Sequence, residues 1–469
     1  MQARPSPGSS YPAGGSGEPV GRGGGAEACR AADDVDVLVA GAGPAGTAAA
    51  ITLARLGRRV MVVDKAVFPR DKCCGDGLTT AALRRLEHLG LDPQRVRSWQ
   101  PVDEVTVVAA DGRRADLPFA KDGTQYAASA RRIDLDSALV DLARRAGADI
   151  VEGCAVSGVS LTDLRNRVRV TLEDGRLVHA RYVVGADGMW SPVRRSLGLS
   201  DAGYLGEWQA GRQYLEATGP LSRRLWVWFE PDMLPGYAWS FPLPGGMVNF
   251  GYGVLRPANG DPASPRDRDR DRDPVPASSG GGDRHEEGDG SPAPRLRGQQ
   301  IDWSDRPHIA KVLGPDATPA GPWRAWPIPA RIGAAALDGL GGRVLFLGDA
   351  AGGCDPMTGE GIAQALETGE MAARAIVQAG PHSAASAATR YRRQIRWGLA
   401  LDDRLSRQLS RILARPGGSG RALSMVEASD WCRRNFGRWM FEDYPRAVLA
   451  TPHRWHRHMF SGPGAYRDR

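Results

Sequence analysis

The first strongly patterned stretch of the chain joins two apolar runs through a turn of small residues. Residues 35–40 read VDVLVA, which predicts a strand buried on both faces, and GAGPAG follows at 41–46. A helix is predicted next through AAAITLARLG, and RVMVVDK at 59–65 predicts a second buried strand. Together these elements predict a βαβ unit with a parallel sheet.

The middle of the chain changes between helical and strand periods. Apolar residues recur at helical spacing over 134–147, which predicts a helix. Residues 168–184 predict a hairpin with Asp174 and Gly175 at its turn. These elements extend the α/β pattern well beyond the first unit.

Two long segments carry almost no apolar side chains. Residues 1–33 are rich in Gly, Pro, Ser and Ala, and residues 256–298 alternate Arg with Asp before a Ser, Gly and Pro stretch. Neither segment can bury enough apolar surface to offset the entropy of ordering, so both are predicted to be disordered. The charges of the insertion mostly cancel, which argues against a nucleic-acid partner.

Three glycines connect the first strand to the first helix. Gly41, Gly43 and Gly46 form a G-x-G-x-x-G. Gly41 permits the tight turn, Gly43 lets the backbone approach a pyrophosphate, and Gly46 allows close helix packing. This context predicts that the protein binds a dinucleotide.

The residues around these glycines complete the predicted dinucleotide site. Pro44 and Ala45 lie within this turn and are expected to contact the cofactor, and the N-terminus of the helix that follows can stabilise phosphate charge. Asp64, followed by Lys65, ends the next strand, where an acid can bind the ribose hydroxyls.

A second segment indicates that the dinucleotide is FAD rather than NAD. Residues 343–348 predict a buried strand, and a glycine-rich turn opens a long helix near Gly361. Asp349 can hold the ribityl hydroxyls of a flavin, although an ordinary helix N-cap is the alternative. The helix N-terminus can stabilise charge on the reduced flavin ring. The cofactor-binding residues expected here are Gly348, Asp349, Pro356, Gly359, Gly361 and Ile362.

The strand that ends in VVGADG, with Asp187, resembles two-domain flavoproteins of the p-hydroxybenzoate hydroxylase type. The resemblance extends from about residue 34 to residue 380. It implies that Asp187 and Arg132 contribute to FAD binding, the alternative for Arg132 being a surface helix arginine.

This resemblance implies an α/β fold: a Rossmann-type FAD-binding domain with an inserted antiparallel-sheet substrate domain and a helical C-terminal segment. The expected boundaries are 34–100, 128–205 and 335–380 for the FAD-binding domain, 101–127 and 206–334 for the substrate domain, and 381–469 for the C-terminal segment.

Two further segments narrow the family. FPRDKCCGDGL at 68–78 and GYAWSFPLPGGMVNFGYG at 236–253 closely resemble the K-x-C-G-D-G and Y-x-W-x-F-P…G-x-G signatures of the geranylgeranyl reductase family. WPIP at 326–329 is similar to that family's approach to the second flavin segment. The resemblance implies an FAD-dependent oxidoreductase that saturates isoprenoid double bonds by hydride transfer from reduced flavin.

The same resemblance suggests which residues form the catalytic centre. Cys74, Gly75 and Asp76 are expected beside the isoalloxazine, where Cys74 is a candidate for positioning or protonation. A buried structural thiol is the alternative for Cys74. Because Cys73 is additional to the motif, the choice between the two thiols stays open.

An isolated alkene offers no charge or hydrogen bond to a binding site, so apolar and aromatic walls must hold it. Tyr237, Trp239 and Phe241 alternate along a predicted strand and therefore share one face. With Pro242 they are the expected substrate-binding residues, and core packing is the alternative.

Three other function classes are alternatives to an isoprenoid reductase. A flavin-dependent halogenase shares the FAD domain but needs a catalytic lysine, and the context of Lys121 does not match. An aromatic monooxygenase and an FAD-binding protein without activity are the other two.

The sequence also predicts the reductant, the substrate class and the cellular location. No second G-x-G-x-x-G lies in a βαβ context, so NAD(P)H or a protein electron donor is expected to act only as a transient reductant. The six cysteines have no metal-ligand spacing, so no metal is expected. A prenyl lipid or terpenoid is the expected substrate, and a cytoplasmic location is expected.

Charge changes the interpretation of the C-terminal segment. The chain carries a net charge of +7, and residues 381–469 contain 17 Arg, no Lys and 7 acidic residues. Arginines between apolar positions, with tryptophans after them, are compatible with peripheral membrane contact. The interpretation that we favour is a helical cap packed on the substrate domain with a solvated arginine face, and membrane contact is the alternative.

Overall fold

The computed structural model describes most of the chain: residues 33–119, 124–162, 167–256, 302–441, 445–448, 451–452 and 455. The predicted disordered segments, apart from Asp33 and Arg256, and Lys121 lie outside the described residues.

Strands alternate with helices through the first half of the chain, as the apolar pattern predicts. The strands are β1 (Asp33–Ala40), β2 (Val60–Val63), β3 (Gly77–Leu78), β4 (Gln100–Val102), β5 (Glu104–Val108), β6 (Arg114–Pro118), β7 (Ala127–Ser129), β8 (Asp149–Val151), β9 (Val156–Leu161), β10 (Val168–Leu172), β11 (Leu177–Gly185), β12 (Trp208–Glu216), β13 (Leu225–Trp228), β14 (Tyr237–Pro242), β15 (Met247–Leu255), β16 (Thr318–Pro319), β17 (Arg324–Ile328), β18 (Asp338–Gly339) and β19 (Val344–Phe346).

Helices follow the first strand, cover the first sheet and dominate the C-terminal part. They are α1 (Pro44–Arg55), α2 (Thr80–His88), α3 (Arg132–Arg145), α4 (Pro192–Ser196), α5 (Pro307–Leu313), α6 (Ile362–Ala379), α7 (Ala384–Trp397), α8 (Leu399–Leu413), α9 (Gly418–Glu427) and α10 (Asp430–Phe441). None of these described helices combines the length and apolarity needed to cross a membrane.

The first sheet has the order β18-β19-β11-β1-β2-β8, with β10 and β9 attached through β11. β1 pairs in parallel with both β11 and β2, and β11 pairs in parallel with β19. The predicted hairpin is confirmed as the antiparallel pair β10 and β11. The carboxyl ends of β1, β2, β11 and β19 therefore meet at one edge, as in dinucleotide-binding sheets.

Small residues bring the two helices that border this edge into close contact. A Cβ at Gly46 would lie 1.8 Å from the Gly41 carbonyl oxygen, so α1 can approach its strand only with glycine there. A Cβ at Gly369 would lie 2.4 Å from the Ala45 carbonyl oxygen, where α6 crosses α1. The N-termini of α1 and α6 consequently lie side by side.

The second sheet has the order β16-β12-β15-β14-β13-β5-β6, with β17 also paired to β12. It is antiparallel, as expected for the inserted sheet, except for the parallel pair β13 and β5. A third sheet has the order β3-β7-β4. Its strand β3 follows the loop that contains Cys73 and Cys74 in the chain.

The sequence-predicted elements differ from the structure in detail. The helix predicted over 134–147 begins two residues earlier, at Arg132, and ends before Gly147, which has a φ of 97°. The basic C-terminal helix is broken at Gly398 into α7 and α8.

The predicted α/β fold with an antiparallel sheet and C-terminal helices is confirmed. The described residues pack as one compact unit, and the predicted division into two interleaved domains stays a prediction.

Candidate functional site

A cavity of about 1080 Å³ lies where the first sheet's carboxyl edge, the second sheet and the C-terminal helices meet. Most sequence-predicted site residues line it: Gly41, Gly43, Pro44, Ala45, Asp64, Lys65, Cys74, Gly75, Asp76, Arg132, Asp187, Tyr237, Trp239, Phe241, Gly348, Asp349, Gly359, Gly361 and Ile362. The fold thus gathers residues that lie more than 300 positions apart in the sequence.

Three predicted residues do not line the cavity. Gly46 faces the Gly41 backbone, where it permits helix packing. Pro242 follows Phe241 on β14 and therefore points to the opposite face of the sheet. Pro356 is buried, and its carbonyl accepts hydrogen bonds from Trp208 Nε1 at 3.0 Å and Ser410 Oγ at 3.2 Å.

The glycine turn leaves space of the kind that a pyrophosphate requires. Among the described residues, a Cβ at Gly43 would have two neighbours within 4.0 Å, Arg70 Nη2 at 3.7 Å and Arg132 Nη2 at 4.0 Å. Gly43 is the N-cap of α1 and provides no side-chain cap, so backbone N–H groups remain for an anion. Two guanidinium groups and a helix N-terminus therefore face this space, which fits the diphosphate of FAD.

Asp64 is held at the end of β2 by the turn that it supports. Its Oδ2 accepts the Ala42 N–H at 2.7 Å, and its Oδ1 accepts the Ala66 N–H at 2.8 Å. Each carboxylate oxygen can accept a further hydrogen bond. The side chain is therefore fixed with acceptor capacity left for a ribose.

Arg132 is buried, so the alternative of a surface helix arginine is wrong. Its Nε and Nη2 each lie 2.7 Å from the carboxylate of Asp136, and Arg70 Nη1 lies 2.8 Å from the same carboxylate. Burial acts to raise the pKa of Asp136, but the two guanidinium groups hold it below its ordinary value. One ionised carboxylate thus orients two arginines toward the cavity.

The second predicted segment approaches the cavity from the other side. Asp349 follows β19 and accepts a hydrogen bond from the Cys354 thiol at 3.4 Å. A Cβ at Gly361 would lie 2.9 Å from Cys354 Sγ. Gly361 is the N-cap of α6 and makes no side-chain cap, so this helix N-terminus is also available to a ligand.

The loop at 74–77 packs directly on the aromatic face of β14. A Cβ at Gly77 would lie 2.7 Å from Phe241 Cε2, and a Cβ at Gly75 would lie 3.3 Å from the same atom. The ring centroids of Tyr237, Trp239 and Phe241 follow one another at 5.9 and 6.0 Å. The alternation predicted from the sequence therefore builds one aromatic wall against this loop.

Asp76 fixes the loop in place. It is completely buried and has a left-handed backbone with φ of 65°. Its Oδ2 accepts hydrogen bonds from Tyr214 Oη and Asn249 Nδ2, both at 2.8 Å, and its Oδ1 accepts the Arg132 N–H at 3.2 Å. Burial raises the pKa of Asp76 to about 6, although the hydrogen bonds from Asn249 and Tyr214 oppose that rise.

Asn249 joins this loop to the aromatic wall. Its Nδ2 also donates to the Cys74 carbonyl at 2.8 Å, and its Oδ1 accepts from Trp239 Nε1 at 3.1 Å. Asn249 therefore sets the position of the Trp239 indole relative to the Cys74 backbone.

A buried arginine supports the same network from β12. Arg212 lies over the Tyr214 ring at 4.2 Å and pairs with Asp71 at 2.7 Å. Lys72 Nζ lies 3.9 Å from the Trp326 ring centroid. Burial lowers the pKa of Lys72, and nearby Asp349 opposes that shift.

The two adjacent cysteines have different environments. The Cys74 thiol accepts the Asp76 N–H at 3.4 Å, whereas the Cys73 thiol donates to the Arg324 carbonyl at 3.5 Å. Burial raises the pKa of both thiols, that of Cys73 to about 11. Both are therefore neutral at physiological pH.

Sequence reasoning missed most of the polar residues that support the site. They are Arg70, Asp71, Asp136, Arg212, Tyr214, Asn249 and Glu360, all of which contact predicted site residues or line the cavity. The sequence signal that could have identified such residues is a polar residue inside an apolar strand pattern, as with Asn249 in MVNFGYG.

Helices α8, α9 and α10 close the apolar end of the cavity. Leu423 and Val426 of α9 pack with Val105 and Leu225 of the second sheet, which confirms the helical cap. The remaining lining residues from this part are Leu409, Ile412, Leu413, Ser419, Ala422, Phe436, Trp439, Met440 and Arg446.

These features, together with a match of residues 34–217 to the family of FAD binding domains, define an FAD-dependent oxidoreductase. The menaquinone reductase of Mycobacterium tuberculosis is 33% identical over 362 residues, which cover 73% of this chain and 77% of that protein. The chain belongs to the geranylgeranyl reductase family, as its sequence motifs predict.

Two further comparisons agree with this membership. The digeranylgeranylglycerophospholipid reductase of Methanosarcina mazei is 28% identical, and the match covers 74% of this chain and 76% of that protein. The crystal structure of a geranylgeranyl bacteriochlorophyll reductase-like protein from Thermoplasma acidophilum has a TM-score of 0.65 at 20% identity. That match covers 85% of this chain and 92% of the other, and it shows a common fold.

Asp76→Asn tests the network that holds the loop. Asparagine tolerates the left-handed backbone but offers one acceptor oxygen where aspartate offers two. We expect the free energy of unfolding, measured by urea denaturation, to fall by about 2 kcal/mol because a buried donor loses its partner. Asp116→Asn, at an exposed carboxylate paired with Arg114, should change it by less than about 1 kcal/mol. Equal effects of the two substitutions would contradict the structural role of Asp76.

Proposed function

We propose that the protein saturates carbon–carbon double bonds of an isoprenoid chain. The observation that carries this proposal is the aromatic wall of Tyr237, Trp239 and Phe241, which packs against the Cys74–Gly77 loop inside an FAD-sized cavity. Walls of this kind can hold an uncharged alkene, because apolar contact and ring faces are the only grip that the alkene offers. The activities named for the two curated relatives support this substrate class.

FAD is held, in this proposal, by residues from both segments. The Gly43 turn and the N-terminus of α1 bind the diphosphate with Arg132 beside them, and Asp64 binds the ribose. Asp187, whose pKa burial raises to about 6, lies near the same turn. Asp349 would hold the ribityl chain, and the N-terminus of α6 at Gly361 would stabilise negative charge on the flavin ring.

When bound and reduced, FAD supplies the hydride for the reaction. The chain's own residues orient the alkene and exclude water. Trp239 is held by Asn249, whose side-chain amide also donates to the Cys74 carbonyl. The neutral Cys74 thiol completes the aromatic wall from the loop, where it positions the reacting bond. NAD(P)H or a protein donor acts as transient reductant.

The C-terminal helices are proposed to contact a membrane at the cavity's apolar end. Ile412 lines the cavity yet is 50% exposed, and Met425 and Trp431 on the following helices are 73% and 62% exposed. Arg415, in the connection between α8 and α9, and Arg421 of α9 are both exposed and suit anionic headgroups. A prenyl substrate is itself a membrane component, which favours entry from this side.

Flavin retention tests the cofactor assignments. Gly43→Val places side-chain bulk where the diphosphate must approach, and Asp349→Ala removes the ribityl partner. We expect both variants to purify with less FAD than the wild type, measured by absorbance after gel filtration. Gly321→Val, at a glycine with open space around its Cα, should keep its flavin. Full flavin content in both site variants would show that FAD binds elsewhere.

Anaerobic single turnover with a panel of prenyl substrates tests the reaction. The product should gain about two mass units per double bond, without O₂ or halide, as two hydrogens are added. Trp239→Ala should slow turnover more than Tyr237→Phe, because it removes more apolar wall. Cys74→Ala should slow turnover and retain FAD. Products that contain oxygen or halogen, formed only with O₂, would instead indicate a monooxygenase or halogenase.

Sedimentation with anionic liposomes at low salt tests the membrane contact. We expect the wild type to bind weakly and to be released by salt, since the attraction is partly electrostatic. Met425→Ser combined with Trp431→Ser should weaken binding. Trp397→Ser, at a tryptophan 52% exposed that borders a separate surface groove, is the control and should bind as the wild type does. Wild-type protein found wholly in the supernatant would remove the proposal.

A further inference from the structure

We propose that the Glu360 carboxyl group holds and delivers the proton that completes each double-bond reduction. This inference rests on the proposed reductase function. Glu360 is half-buried and lines the cavity between Gly359 and the N-cap Gly361. With Asp355, it is one of two carboxyl groups of the second flavin segment that the sequence motifs left without a role.

Glu360 lies where three functional segments meet. The Thr79 hydroxyl, just after the Cys74–Gly77 loop, donates a hydrogen bond to Glu360 Oε1. On the other side, the Tyr237 hydroxyl donates to the Thr358 carbonyl two residues before Glu360. Glu360 is therefore placed close to both the Cys74–Gly77 loop and the aromatic wall.

The orientation of Thr79 determines which oxygen can carry a proton. Thr79 is the N-cap of α2, and its hydroxyl oxygen accepts the Ala82 N–H at 3.5 Å. The same hydroxyl donates to Glu360 Oε1, which acts as the acceptor in this hydrogen bond. The second carboxyl oxygen is the one that can carry the acidic hydrogen.

The surroundings of Glu360 favour its protonated form. Burial raises the pKa of Glu360, and the nearby Asp355 carboxylate raises it further. Hydrogen bonds from Thr79 and Gln364 and the charge of Arg446 oppose the rise without cancelling it. Arg446 is partly neutralised by Asp355, since its Nε lies 4.0 Å from Asp355 Oδ2.

Two other groups near this point are poorer acids. Burial raises the pKa of Tyr237, and Asp355 and Glu360 raise it further. Burial also raises the pKa of the Cys74 thiol. A carboxylic acid whose pKa is raised toward the working pH is a better proton donor to carbon than either, because general-acid catalysis is most efficient when the two match.

The step balances with the reductant already named. The alkene π bond breaks, one carbon gains the hydride from reduced FAD, and the other gains the proton from Glu360. The alkene is reduced by two electrons, the flavin is oxidised by two, and Glu360 is left as a carboxylate. A solvent proton then restores the acid before the next turnover.

Glu360→Gln is the decisive variant, since it preserves shape but carries no acidic proton. Glu367→Gln is its matched control, because Glu367 lies on α6, pairs with Arg85 at 2.8 Å and lies outside the cavity lining. Both variants should purify with wild-type FAD content and visible spectrum. In anaerobic single turnover at pH 7, E360Q should reduce a prenyl substrate about 10²-fold more slowly or worse, and E367Q at the wild-type rate.

The pH profile separates a proton donor from a structural residue. Because the acid form is the active one, wild-type turnover should fall as pH rises through the raised pKa of Glu360. E360Q should lose that limb, whereas Cys74→Ala, although slower, should keep it. A limb that disappears in Cys74→Ala and persists in E360Q would overturn the proposal in favour of the thiol.

Infrared spectra of the holoprotein give a readout that needs no substrate. Asp76 and Asp187 also contribute un-ionised carboxylic acid near pH 6, so the readout is the difference spectrum between the wild type and E360Q. We expect that difference to contain one carbonyl band of un-ionised carboxylic acid that titrates with pH, and E367Q to match the wild type. If the wild type reduces no prenyl substrate, the reductase function fails, but this band still decides whether Glu360 is held as an acid. Absence of the band, loss of FAD from E360Q, or turnover within about threefold of the wild type would each overturn the proposal.

Discussion

The structure depends on one buried carboxylate, that of Asp76. Its oxygens accept hydrogen bonds from the second sheet, through Tyr214 and Asn249, and from the first residue of α3. A buried carboxyl group is tolerated only with such partners, so the three elements must come together for the chain to fold. The loop that carries Cys74 is consequently held at the junction between the first sheet and the second sheet.

That junction explains why polar and apolar residues alternate so closely in the site. The loop needs glycine at residue 77, because the ring of Phe241 occupies the space beside it, and residue 75 packs tightly on the rings of Phe241 and Trp239. Asn249 satisfies both the loop backbone and the Trp239 indole, so the aromatic wall is fixed by hydrogen bonds as well as by packing. A rigid wall supports catalysis because an alkene must be held in line with its hydride donor by shape alone.

The C-terminal helices complete an enclosure that neither sheet forms by itself. Leu423 and Val426 pack on the second sheet, while Leu409 and Ile412 of α8 border the cavity. This arrangement gives the cavity a polar end near the glycine turn and an apolar end beneath the helices. A long prenyl chain requires such a division, since its reacting bond must reach the flavin while the rest of the chain stays out of water.

The sequence by itself determined the local elements and the cofactor class. The strand–glycine–helix pattern around Gly43 and the run leading to Asp349 are short-range signals, because turn geometry and helix N-termini depend on neighbouring residues. The motif residues Cys74 and Trp239 likewise identified the family. The tertiary structure alone decided that Arg132 is buried with Asp136, that Pro242 and Pro356 face away from the cavity, and that Glu360 lies beside Thr79. These contacts join residues far apart in the chain or depend on which face a side chain occupies. Their hydrogen-bond and ion-pair energies favour one arrangement only when burial has removed water from the groups involved.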